Sequence, residues 1–61
     1  MYRYRYFMVS ILLGEDYEID FELFDKFEKS PLTKCVRTPD KLIIVDKSTN
    51  EVLCYCTREV V

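Results

Sequence analysis

From Tyr2 to Leu13 the chain alternates, and the stretch is rich in Tyr, Phe, Val and Ile, a period of two that predicts a long first strand. Gly14-Glu15-Asp16 supplies the turn. A three-residue loop there sets Leu13 opposite Tyr17, Ile11 opposite Ile19 and Val9 opposite Phe21, while Leu12, Ser10 and Met8 oppose Glu18, Asp20 and Glu22. One face is then apolar and the other wetter, the condition that fixes register. A two-residue turn at Gly14-Glu15 would instead pair Leu12 with Tyr17 and Ser10 with Ile19. The three-residue loop is preferred.

Alternation fades over residues 20 to 29. Phe21, Phe24 and Phe27 recur every third residue and Leu23 lies four before Phe27, so helical spacing takes over from Phe21. Asp20 is placed to cap the first free N–H groups, Glu22 sits in the positive first turn and Lys29 in the negative last turn. Ser30-Pro31 ends the element, because the residue before a proline avoids the helical region. About two and a half turns do not hold alone, so Phe24 and Phe27 must pack on a sheet.

Thr33 to Thr38 predicts a short strand and Pro39-Asp40 a tight turn. Lys41 to Asp46 and Glu51 to Arg58 predict two arms around Ser48-Thr49-Asn50, with Asn50 suited to a left-handed position. Lys47 then faces Glu51, Val45 faces Leu53, Ile43 faces Tyr55 and Asp40 faces Arg58, opposite charges meeting at both ends. The third strand places Val36 beside Ile43 and Cys35 beside Ile44. One face of this sheet carries Leu42, Ile44, Val52, Cys54 and Cys56; the other carries Ile43, Val45, Leu53 and Tyr55. Both faces are apolar and one short helix covers only one, so a second copy of the chain is the expected second cover. The expected fold class is α+β, a single domain over residues 1–61 in the order β-β-α-β-β-β, with the helix on one face of an antiparallel sheet.

Composition sharpens this picture. Sixty-one residues lie near the lower limit for unassisted folding, and 49 % hydrophobic with 15 % aromatic content, against one Gly and two Pro, argues for a packed domain. The apolar run Tyr6 to Leu13 is far short of the ~20 residues of a membrane helix, and no small-residue cleavage site follows it. A cytoplasmic protein with no membrane association is expected. Cys35, Cys54 and Cys56 are an odd set, read as reduced core thiols. Cys54 and Cys56 share a face about 6.6 Å apart, and Cys35 is about 9.6 Å from Cys54, so neither spacing favours a bridge. With no histidine and one Cys-x-Cys pair, a zinc site would need two copies of the chain; no metal or cofactor is expected. The missing histidine and the missing Gly-rich phosphate cradle also speak against an enzyme.

Charge is polarised. Seven of the eleven acids lie between Gly14 and Glu28, opposed only by Lys26, while the opening Tyr2-Arg3-Tyr4-Arg5-Tyr6 and the stretch with Lys34 and Arg37 are basic. Such a field steers association with a charged partner. The first expectation is a non-catalytic protein-binding module, a homodimeric regulator or inhibitor. Glu15, Asp16, Glu18, Asp20, Glu22 and Asp25 would dock on a basic patch of another enzyme or nucleic-acid-binding protein. In size and lack of catalytic groups it resembles, in kind only, small inhibitors encoded by phages or mobile elements. The alternative is a nucleic-acid-binding module using Tyr2, Arg3, Tyr4, Arg5, Lys34 and Arg37. It is disfavoured because a strand puts the tyrosines and the opening arginines on opposite faces and the chain has no basic excess.

Overall fold

A computed structural model describes residues Met1–Val61. Strands β1 (Tyr2–Met8) and β2 (Tyr17–Ile19) precede helix α1 (Phe21–Lys29), and β3 (Thr33–Arg37), β4 (Lys41–Asp46) and β5 (Val52–Val60) follow. They form one five-stranded sheet in the order β2-β1-β5-β4-β3, antiparallel at every step. The expected α+β class and element order are therefore seen. Because directions alternate, β2 and β3 run the same way at opposite edges, and α1 is the crossover between them. The two ends of the chain meet at the centre: β1 pairs with β5 from Tyr2↔Val60 to Met8↔Cys54, and Val61 N–H closes the ladder on Met1 O at 3.0 Å.

The helix is capped as its sequence implies. The Asp20 carboxylate accepts the Leu23 N–H at 2.9 Å, and Glu22 lies in the first turn with Lys26 and Lys29 in the last. At the far end Ser30 N–H donates to Phe27 O at 3.2 Å, and the Thr33 hydroxyl also donates to that carbonyl, tying the helix exit to the start of β3. Phe24 is the anchor, 1 % exposed, in a cluster with Ile44, Cys54 and Cys56. Tyr6, Met8, Ile19, Phe27 and Leu42 pack around it, and the Tyr6 and Phe24 rings lie 4.9 Å apart.

The first hairpin departs from its expected register. The first strand stops at Met8 rather than Leu13, and Tyr6, Phe7 and Met8 pair with Ile19, Glu18 and Tyr17. Ser10 causes the early stop: its Oγ accepts the Leu13 N–H at 3.2 Å and the backbone turns over Ile11–Leu13, although Val9 N–H still reaches Leu53 O at 3.0 Å. Packing demands the shift. β5 begins at Val52, opposite the end of β1, so an Ile11–Ile19 pairing would start the helix past the sheet. In the observed register Phe21 meets Tyr6 at 5.5 Å and Phe24 reaches Cys54 and Cys56.

The second hairpin matches from Lys41↔Thr57 to Ile44↔Cys54, then slips by a bulge, so Val45 faces Val52 rather than Leu53. Asp46 pulls the loop in. Its carboxylate accepts the Ser48 N–H and hydroxyl at 2.7 and 2.6 Å and the Thr49 N–H at 3.3 Å, and Asn50 takes the left-handed position at φ 61°. Glu51 O accepts the Asp46 N–H at 2.9 Å, replacing the expected Lys47–Glu51 pairing. At the other end the β4–β5 ladder stops at Lys41↔Thr57, one residue short of the expected Asp40–Arg58 pair; Asp40 accepts the Thr38 hydroxyl at 3.2 Å, and Arg58 pairs with Tyr4 on its β1 side. The pairing Cys35↔Ile44 and Val36↔Ile43 is as expected. Cys35 is nonetheless exposed, a correction to its reading as a core thiol, because β3 is an edge strand that the cluster around Phe24 does not reach.

A nine-residue helix is about 14 Å long, whereas the nine residues of β5 extend about 30 Å. α1 therefore covers only the middle of one face. On the other face a row of side chains crosses the sheet, Glu18, Phe7, Tyr55, Ile43 and Val36, with no element above it. The Phe7 and Tyr55 rings stack at 5.3 Å, flanked by Arg5 over Phe7 and Lys41 over Tyr55.

Only five residues are buried, and a domain of this length holds roughly 3–9 kcal/mol in all. Phe24→Ala removes a ring from the one closed cluster and is expected to cost about 3–5 kcal/mol. Urea unfolding followed by circular dichroism should show that variant largely unfolded in water, while Phe21→Ala, whose ring is half exposed, keeps a cooperative transition. A near-native midpoint for Phe24→Ala would contradict this account of the core.

Candidate functional site

The acids expected to form a contact surface are positioned by three successive elements. Glu15 and Asp16 sit in the loop before β2, Glu18 in β2, Asp20 at the helix N-cap, and Glu22 and Asp25 on α1. Four of the six have internal partners. Asp16 accepts the Tyr55 hydroxyl at 2.7 Å, Asp20 caps the helix, and Asp25 pairs with Lys29 at 2.9 Å. Glu18 pairs with Arg5 through two bonds of 3.0 and 3.4 Å, and Arg5 also reaches Glu59 at 3.3 Å. Glu15 and Glu22 make no side-chain hydrogen bond or ion pair within the chain.

These pairings set the local electrostatics. The Arg5 hydrogen bond holds the Glu18 carboxyl below the ordinary glutamate range, and the same contact raises the Arg5 guanidinium. A carboxylate lowered in the folded state supports folding above its unfolded value, and that support is lost as pH falls through the folded value. The Asp16 bond raises the Tyr55 hydroxyl in the same manner. Burial pushes the Cys54 thiol up to about 11 and raises Cys56 too, so both stay protonated and poorly nucleophilic near neutral pH. No three His, Cys, Asp or Glu side chains converge in a metal-ligating group.

Beside the acids lies a feature that strand periodicity had hidden. Ile11, Leu12 and Leu13, expected inside the first strand, form the turn after β1 and are 80, 99 and 72 % exposed. Large aliphatic side chains scattered singly on a surface need no explanation, but three in succession at a loop tip form an apolar projection. Gly14 follows at φ 72°, a left-handed turn that sends the chain back toward Glu15 and β2. The only signal for this in the sequence was Ser10, a turn-forming side chain that breaks the apolar run.

The residues of the alternative nucleic-acid reading do not form one surface. Ladder pairing puts Tyr2, Tyr4 and Arg37 on the helix-bearing face, and Arg3, Arg5 and Lys34 on the opposite one. Arg5 is also committed to Glu18 and Glu59. Arg58 joins the tyrosines instead: it pairs with Tyr4 across the ladder, and its guanidinium carbon lies 4.5 Å from the centre of the Tyr2 ring. Sequence reasoning missed Arg58 because its neighbours come from the far end of the chain.

Compared with protein-family models, curated proteins and solved structures, the chain shows no match. No helix is long and apolar enough to cross a membrane.

Proposed function

We propose that this chain is a non-catalytic protein-binding module, a small regulator or inhibitor that docks on a partner protein through the Ile11–Leu13 tip and its acidic rim. The exposure of those three side chains carries the reading. An apolar tip supplies the desolvated centre of an interface, and Glu15, two residues past Leu13 and with no internal partner, supplies an adjoining charge that favours a basic surface, while Glu22, equally unpartnered on the first turn of α1, extends the negative field. Glu18, Asp16, Asp20 and Asp25 add to the negative field while serving the fold. A basic patch on an enzyme or on a nucleic-acid-binding protein has the complementary charge, and occupying it would block its use.

Affinity capture from the native host compares wild type with Leu12→Ser/Leu13→Ser, Glu15→Lys/Glu22→Lys and a Tyr4→Ala control. A partner held by wild type and control should be lost at least tenfold with both double variants. Equal recovery of that partner by all four proteins would overturn the docking site. Glu18 is left untouched because its reversal would set a lysine against Arg5.

A homodimer is the second part of the reading, and the row Phe7, Tyr55, Ile43 and Val36, which has no second layer over it and ends in the exposed Val36, favours it. A standard interface takes about 800 Å² per partner, a modest share of the 4777 Å² this chain exposes. The acidic tip is unsuited to self-contact, since two copies would oppose like charges there. Sedimentation equilibrium at high micromolar concentration should give twice the 7.4 kDa chain mass, falling to one copy for Val36→Lys. A wild-type monomer at that concentration removes the dimer and leaves the docking tip standing.

A further inference from the structure

The shortness of α1 has left a concave site on the helix-bearing face, at the opposite end of β1 from the apolar tip. It is an open groove of about 380 Å³. Tyr4, Tyr6 and Arg58 form the floor, Phe21 and Glu28 the helix wall, and the turn from Arg37 to Lys41 the far wall. That volume lies at the small end of ligand pockets, which run about 300–1,000 Å³.

Two features of the lining point to one ligand chemistry. The first is aromatic. Tyr4 and Phe21 are both 55 % exposed, and Phe21 meets Tyr6 edge-on at 5.5 Å, so exposed aromatic side chains line the groove where a flat group would sit. The second is cationic. Every ion pair in the chain belongs to Arg5 or Lys29, so the guanidinium groups of Arg37 and Arg58 have no carboxylate within 4 Å. Planar forks of this kind match phosphate oxygens two at a time. Arg58 is also held in place, stacked over Tyr2. Glu28 and Asp40 put carboxylates on the rim as well, so the site is not a plain anion trap. Burial raises the Cys56 thiol, with the Glu28 charge acting in the same direction, and a carboxylate on this wall suits the amino edge of a base.

We infer that this groove binds a nucleotide, its base against Tyr4 and Phe21 and its phosphate on Arg37 and Arg58. The site is independent of the proposed protein-docking tip. Stacking on exposed rings accepts any base, and the guanidinium contacts add a salt-sensitive term.

The test is an amide chemical-shift titration of the full chain with AMP, adenosine, ribose 5-phosphate and a deoxythymidine tetranucleotide. AMP should shift amides of Tyr4, Tyr6, Arg58 and residues 37–41, and bind at least tenfold more tightly than adenosine or ribose 5-phosphate. Arg37→Gln and Arg58→Gln, each with an otherwise unchanged spectrum, should each weaken AMP about tenfold, and Tyr4→Leu likewise. Tighter binding of the tetranucleotide than of AMP supports the site with a single strand as the source of the nucleotide, and weaker binding supports it with the free mononucleotide. No shifts at millimolar AMP, shifts confined to other residues, or AMP affinity unchanged in both arginine variants would overturn the inference.

Discussion

One aromatic ring holds the architecture together. Phe24 projects from a helix too short to persist alone and closes the gap over Tyr6, Ile44, Cys54 and Cys56. Those residues lie on β1, β4 and β5, and the pairing of β1 with β5 joins the two ends of the chain, an arrangement that is entropically expensive until side chains bury across it. Sheet and helix are therefore mutually dependent. The Asp20 cap and the bond from Thr33 to Phe27 O fix where the helix starts and stops, and hence where its single buried ring falls.

The same economy explains what stays exposed. A two-and-a-half-turn cover cannot reach the ends of a nine-residue strand, so Tyr2, Tyr4 and Arg58 remain open beside Phe21. No helix covers the opposite face, where Arg5 and Lys41 lay their side chains over Phe7 and Tyr55, and where Phe7, Ile43 and Tyr55 are half-buried and Val45 buried. At the other end of β1 the chain must travel from Met8 back to Tyr17 and carries Ile11, Leu12 and Leu13 into solvent on the way. Surface charge is similarly divided between tasks. Four of the seven acids in the stretch secure Arg5, Tyr55, the helix N-terminus and Lys29, which leaves Glu15, Glu22 and Glu28 as its uncommitted carboxylates.

Local periodicity made much of the fold legible. The three phenylalanines at every third position marked the helix, and alternation aligned β3 with β4 and β4 with β5 as far as Ile44. The charge pairs expected at both ends of that last register do not form, and apolar alternation aligns the two arms without them as far as Ile44. What could not be read locally was settled by contacts distant in sequence. β1 ends early because the helix must land on residues of β5, and the pattern through Leu13 contains no trace of that demand beyond Ser10. Arg58 joins the tyrosines because β5 pairs with β1, and Cys35 is wet because β3 became an edge. The acids are contiguous in sequence, but Glu18 and Asp16 bond on the face opposite the helix while Glu22 and Asp25 lie on α1, and the internal partners, up to 39 residues away, were invisible in the sequence.

The central claim is that stability is concentrated beneath Phe24 while the Ile11–Leu13 tip is held by little more than its own turn. Native-state hydrogen exchange of the isolated chain tests this most directly. The slowest amides should lie in β4, β5 and the middle of β1, exchanging near the global unfolding limit, and residues 10–16 should exchange orders of magnitude faster. Protection of residues 10–16 equal to that of Ile44 and Cys54 in the free monomer would contradict the account.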